Sequence, residues 1–177
     1  EIHEIPQPAE PMKVFATDYD GVIIKIEHQK AEAFGVLLNK YWGIDKKEAA
    51  GFWIETGGSS RRYKFDYFYK KRFNKKLNNE KYKKIEKEYS NLLKKEFYPR
   101  LKLLPHALEL LKYARSHFDC TFVSSGVPME EINYLVNLNG LSGYFDLILG
   151  TNEKYQSKHD HFKEITEKQK PDLLVFI

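Results

Sequence analysis

Val14-Phe15-Ala16-Thr17-Asp18-Tyr19-Asp20-Gly21-Val22-Ile23 is the stretch around which the chain is organised. An apolar run suited to a buried strand breaks into two carboxylates one residue apart, followed by a glycine that lets the backbone turn. Asp20-Gly21 alone reads as an ordinary turn. Two carboxylates on so short a segment say more, because an open α/β sheet binds its ligands at the carboxyl ends of its strands, where Asp18 and Asp20 are expected. Tyr19, between them, should point elsewhere. The pair suits a nucleophile with an acid/base partner, or hard oxygen ligands for a divalent cation.

Working outward, the strand is expected over about 13–17, behind a lead-in of residues 1–12 whose Pro6, Pro8 and Pro11 predict extended, aperiodic chain. Beyond Ile26 the spacing of Ala33, Val36, Leu37, Lys40 and Tyr41 predicts a helix, and a second begins near Asp45 with Ala49, Phe52 and Trp53. Thr56-Gly57-Gly58-Ser59-Ser60-Arg61-Arg62 is rich in groups that can face an anion. Phe65, Tyr67, Phe68, Phe73, Tyr82, Ile85, Tyr89, Leu92, Leu93 and Phe97 then recur at helical spacing, which predicts the core stripe of further helices. An α/β pattern resumes with a helix bearing Ala107, Leu110, Leu111 and Ala114. The strand Cys120-Thr121-Phe122-Val123 follows and ends in Ser124-Ser125-Gly126. After a helix to about Leu138 and a strand at 146–150, Ser157-Lys158-His159-Asp160 has the form of a capping box, which puts Lys158 in the first helical turn. Residues 172–177 read as a fourth strand.

The 177 residues, 42% hydrophobic and 15% aromatic, suffice for one α/β core with an insertion. No apolar run approaches the roughly 18 residues of a membrane span, and the N-terminus has neither the basic nor the apolar region of a secretory signal. One cysteine, Cys120, excludes an intrachain disulfide and reads as a buried thiol. A cytoplasmic location is the expectation. The net charge of +4 is uneven, for residues 61–100 hold 15 Lys+Arg against 5 Asp+Glu while the rest hold 14 against 20. Such a segment suits a solvated helical face, an anionic small substrate or a polyanion.

Alternating strands and helices predict a parallel sheet whose strands end on one edge. Asp18, Asp20, Ser124 and Lys158 can converge there. A carboxylate attacks phosphorus only when the phosphoryl oxygens are neutralised, which a cation, an ammonium, and hydroxyl or backbone donors achieve together.

Asp-x-Asp-Gly after the first strand, Ser124 after the second and Lys158 at a helix start after the third together resemble the haloacid dehalogenase superfamily, over about 13–26 and 101–177. The resemblance implies a Rossmann-like α/β core in which Asp18 is the nucleophile that becomes an aspartyl-phosphate. Asp20 would protonate the leaving group and then activate water, while Ser124, Ser125, Gly126 and Lys158 hold the phosphoryl group. Mg²⁺ would sit on Asp18 and the backbone carbonyl of Asp20. The helical insertion resembles the C1 cap of the phosphoglycolate phosphatase and β-phosphoglucomutase branch, and Gly58-Ser59-Ser60-Arg61 its cap loop, which implies substrate contact by Ser60 and Arg61. The implied organisation is a core at 1–26 and 101–177 with an all-helical cap at 27–100. The family's fourth motif, an acidic cluster after the fourth strand, would begin beyond Ile177, so the chain is expected to be a fragment that lacks the C-terminal part of the core.

The function so implied is Mg²⁺-dependent hydrolysis of a small phosphorylated metabolite, such as a sugar phosphate or phosphoglycolate. A phosphosugar mutase would share every one of these residues, and an inert regulatory relative most of them. A nucleic-acid-binding module on the basic segment 61–100 is the rival from another class. It leaves four phosphotransfer residues in order unexplained, so neither nucleic acid nor a membrane is the expected partner.

Overall fold

The computed structural model describes residues 11–177, so most of the predicted lead-in lies outside the described residues. In chain order the elements are β1 (Lys13–Thr17), α1 (Glu27–Trp42), α2 (Lys46–Glu55), α3 (Arg61–Phe73), α4 (Asn79–Leu92), α5 (Ala107–His117), β2 (Cys120–Pro128), α6 (Met129–Leu138), β3 (Leu147–Thr151), α7 (Lys158–Gln169) and β4 (Leu173–Phe176). They form two compact units, Glu1–Ile23 with Pro105–Ile177, and Ile24–Leu104. The sequence placed the boundaries after residues 26 and 100. Ile24 and Leu103 form an antiparallel bridge, and Ile24 and Ile26 are fully buried, so these flanking residues count with the helices.

In the first unit four strands pair in the order β3-β2-β1-β4, all parallel, as the alternation predicted. Thr17 lies opposite Val123, and Val123 opposite Ile148, which brings the carboxyl ends of the three strands level. Val14, Ala16, Cys120, Phe122 and Leu149 face Ile165 of α7 in one apolar cluster. Cys120 is buried there as expected, and burial pushes its thiol pKa up. Strand β2 runs five residues past the predicted Val123, because its pairing with β3 breaks after Ser124 and resumes between Pro128 and Thr151.

In the helical unit the phenyl ring of Phe34 is the hub, with ring centroids of Trp53, Phe65, Phe68 and Tyr89 between 5.1 and 6.1 Å away. The buried face of α1 keeps Ala33 and Leu37 of the predicted stripe but turns away from Lys40 and Tyr41. Its buried residues are Lys30, Ala31, Ala33, Phe34, Gly35, Leu37 and Leu38, whereas Lys40 and Tyr41 are exposed. The cause is Gly35: a side chain there would meet the Lys46 backbone oxygen at 2.5 Å, so its absence lets α2 lie against this face. The aromatic stripe is core for Phe65, Phe68, Ile85, Tyr89 and Leu93, while Tyr67 and Phe73 stand on the outer side of α3. Lys64 is buried as well, donating to the carbonyls of Trp53 and Thr56 at the end of α2 at 3.0 Å each. Burial holds its pKa below the ordinary lysine value. Among the described residues no helix is long and apolar enough to cross a membrane.

Candidate active site

Strand β1 delivers its carboxylates through a turn closed by backbone hydrogen bonds. The Asp18 N–H donates to the Ile177 carbonyl at 2.7 Å, which ties the start of the turn to the end of β4. Gly21 adopts φ +84°, a left-handed conformation that costs glycine little, and the Ile23 N–H returns to the Tyr19 carbonyl at 2.9 Å. The turn is therefore set by backbone bonds. Tyr19 anchors it from the other side. Its fully buried ring sends the hydroxyl to the Leu135 carbonyl at 3.0 Å, and the hydroxyl oxygen accepts from Asn139 Nδ2 at 3.1 Å. Burial, opposed by Asn139 and reinforced by the Asp20 charge, drives the Tyr19 pKa far above that of a free tyrosine, so it stays neutral.

Asp18 faces outward from this turn. One carboxylate oxygen accepts the Tyr19 N–H at 2.7 Å and the other accepts Lys158 Nζ at 2.5 Å. Lys158 opens α7, whose first turn is closed by the predicted capping box of Ser157 and Asp160. The side chains of Asp18 and Lys158 are 26% and 35% exposed, so the pair is reachable from solvent. Asp20 lies two residues on, half-buried.

The serines depart from the expected arrangement. Ser124 is fully buried on the strand face shared with Cys120 and Phe122, and its Oγ lies 2.9 Å from His161 Nδ1. His161 Nε2 lies 3.1 Å from the Gly150 carbonyl, which can only accept, so Nε2 carries the ring proton and Nδ1 accepts from the Ser124 hydroxyl. Burial depresses the His161 pKa and favours this neutral form. The Ser124 proton is therefore committed to α7. Ser125 points from the opposite side of the strand. Its Oγ accepts the Val127 N–H at 3.3 Å, and its own hydroxyl proton is used in no bond among the described residues. Gly126 is exposed.

Ser60 and Arg61 belong to the helical unit. Ser60 caps α3 by accepting the Tyr63 N–H at 3.2 Å. Arg61 lies 5.1 Å over the Tyr89 ring and donates to Ser90 Oγ at 3.3 Å. The adjacent Arg62 is tied to Asp66, Asn79 and the Leu77 carbonyl, over the ring of Tyr82.

Asp18 and Asp20 carry carboxylate oxygens, the hard donors that suit a divalent cation, and among the described residues no group of three or more His, Cys, Asp or Glu side chains is arranged for a metal. The donors fit a cation that draws its remaining ligands from water and phosphate. His161 and Gly150 were not singled out from the sequence. A signal existed for the histidine, since it follows Lys158 by three residues and so shares its side of a helix.

The family model for haloacid dehalogenase-like hydrolases matches residues 12–176. No curated protein matches the chain. Solved structures do: a predicted phosphoglycolate phosphatase from Haemophilus somnus is 15% identical with a TM-score of 0.74, over 93% of this chain and 76% of that one. CbbY from Rhodobacter sphaeroides, in complex with phosphate, is 17% identical with a TM-score of 0.68, over 93% and 76%. A Thermotoga maritima protein described as a β-phosphoglucomutase is 19% identical with a TM-score of 0.62, over 93% and 75%. At these identities the likeness is one of fold.

Proposed function

This chain belongs to the haloacid dehalogenase-like hydrolase family, and from that premise we propose that it is a Mg²⁺-dependent phosphatase acting on a small phosphorylated metabolite. The observation that carries this reading is the contact of Lys158 Nζ with Asp18 Oδ2 at the carboxyl edge of a parallel sheet. An ammonium beside the carboxylate can pass to an incoming phosphoryl oxygen and leave the aspartate to attack. Asp18 then forms the bond to phosphorus as the ester oxygen departs with a proton from Asp20. Asp20 next takes a proton from the water that cleaves the aspartyl-phosphate, which restores both residues. Mg²⁺, held by Asp18 and the Asp20 carbonyl, would supply charge neutralisation at the phosphoryl oxygens.

Ser125 and Gly126 are the proposed phosphoryl donors, and Ser124 is assigned instead to the support of α7. The helical unit is the proposed cap, with Ser60 and Arg61 as its contribution to substrate choice. The test is phosphate release from a panel of sugar phosphates, phosphoglycolate and p-nitrophenyl phosphate, with and without Mg²⁺. Asp18→Asn should abolish release without unfolding the chain, because the amide is isosteric and not nucleophilic. Turnover by that variant above a few per cent of wild type, or the same rate in a chelator, would sink the reading. Appearance of an isomerised sugar phosphate in place of free phosphate would move the assignment to a mutase.

A further inference from the structure

We propose that His161 is a positioning residue for the reaction, because it bonds to β2 through Ser124 and to β3 through Gly150 and thereby sets the rotation of α7 that delivers Lys158 to Asp18. The consequence for turnover rests on the function proposed above; the consequence for Lys158 does not.

Lys158 is the first residue of its helix, where backbone groups lack intrahelical partners and ends fray. A lysine on a flexible four-carbon stem finds one carboxylate reliably only if its Cα is held. His161, three residues on, shares the same side of α7 and is fully buried. Its ring bonds two different strands at once, Ser124 Oγ at 2.9 Å and the Gly150 carbonyl at 3.1 Å, and Lys158 reaches a third strand's end at Asp18. The anchor on β3 is itself closely packed. A side chain at Gly150 would meet the Val127 carbonyl at 2.7 Å and Met129 Cα at 2.8 Å, so bare backbone is clamped there. Tyr155 stands edge-on to the imidazole at 5.1 Å and closes its remaining side. The residue type follows from the two anchors, since a neutral imidazole offers an acceptor and a donor in one rigid ring. Glutamine or asparagine reaches only one of them.

The experiment uses the whole chain and two readouts, turnover of p-nitrophenyl phosphate with Mg²⁺ and the rate of Lys158 acetylation by limiting acetic anhydride. Peptide mass spectrometry gives the second relative to Lys163 and Lys168 on the same helix. His161→Phe keeps the ring volume and loses both bonds. It should lower kcat/KM by about 10- to 100-fold, the scale of a small misplacement of a reacting group, and raise the Lys158 labelling ratio several-fold. His161→Gln, which retains a donor for Gly150, should recover part of both. In a Lys158→Ala background His161→Phe should cost nothing further. The same loss with or without Lys158, or an unchanged labelling ratio, overturns the proposal. Should His161→Phe fail to fold, Ser124→Ala removes one arm at little cost in shape, and it must raise the ratio or the proposal falls. A raised ratio in a chain that shows no turnover even as wild type supports the positioning role and removes the phosphatase reading instead.

Discussion

Lys158 Nζ lies 2.5 Å from Asp18 Oδ2 across 140 residues of chain. The contact exists because β1 and β2 are parallel neighbours and β3 lies beyond β2, so the segment leaving β3 returns α7 over the carboxyl edge where β1 ends. Both partners are partly open to water, where an ion pair contributes little to stability. Lys158→Ala should therefore separate chemistry from folding. We expect kcat/KM for a phosphate ester to fall by about 10²- to 10³-fold, as on losing an electrostatic stabiliser of the transition state. Unfolding free energy should move by less than about 1 kcal/mol. Denaturant titration and steady-state kinetics on the same preparation give both numbers, and a large stability loss with intact turnover would reverse the assignment.

Arg61 and Arg62 are adjacent and should behave oppositely. The Arg62 side chain makes three hydrogen bonds of 2.6 to 2.8 Å, to Asp66, Asn79 and the Leu77 carbonyl, over a ring beneath it, so Arg62→Ala should destabilise the chain by about 1.5–3 kcal/mol, as for hydrogen bonds of a charged group. Arg61→Ala should reduce kcat/KM for the preferred metabolite more than for p-nitrophenyl phosphate, which has little to offer a cap. Equal loss on both substrates would remove Arg61 from substrate choice.

Gly35→Ala probes the packing of α1 on α2. The new methyl group would stand 2.5 Å from the Lys46 backbone oxygen, and backbone cannot swing aside as a flexible side chain does. Overpacking of this kind costs about 1–3 kcal/mol. A melting temperature equal to or above that of wild type would show that the two helices separate without penalty.

Asp146 should tie stability to acid pH. Its burial opposes ionisation, but the Thr121 N–H at 2.8 Å and Arg115 Nη1 at 2.7 Å outweigh that and hold its carboxyl below the ordinary value. A carboxyl with a depressed folded pKa contributes fully above its unfolded value, near 3.9, and the contribution is lost as pH falls through the folded one. Asp146→Asn should thus cost about 1 kcal/mol at pH 7, the low end because the group is partly screened. The gap to wild type should narrow on acidification below about pH 4. A gap constant with pH would show that the ionised form has no special role.

The local signals served well where the physics is local. Asp45, where the second helix was placed, caps it by accepting backbone N–H groups, and the Ser157–Asp160 box sits where its spacing placed it. The face of α1 was misjudged at Lys40 and Tyr41 because periodicity cannot tell which of two candidate stripes a neighbour will cover, and here a glycine that admits the Lys46 backbone decided it. Ser124 is placed differently from the expectation for a related reason, its hydroxyl meeting His161. At a strand end either of two adjacent hydroxyls can face the ligand edge, and which one does depends on what the opposite face meets.

By itself the sequence determined the alternation that makes a parallel sheet, the place of Asp18 and Asp20 at the end of its first strand, and the start of α7 at Lys158. Periodicity, turn chemistry and capping act over a few residues, so they are written in the order of the chain. Only the tertiary structure decided that Ser124 turns inward to His161, that Gly150 is the second anchor of that ring, and that Tyr19 holds the Asp18–Asp20 turn from beneath through Leu135 and Asn139. Those pairings join residues separated by 11 to 120 positions. Each exists because a buried polar atom must find a partner, and its partner is whichever group the packed elements place within about 3 Å.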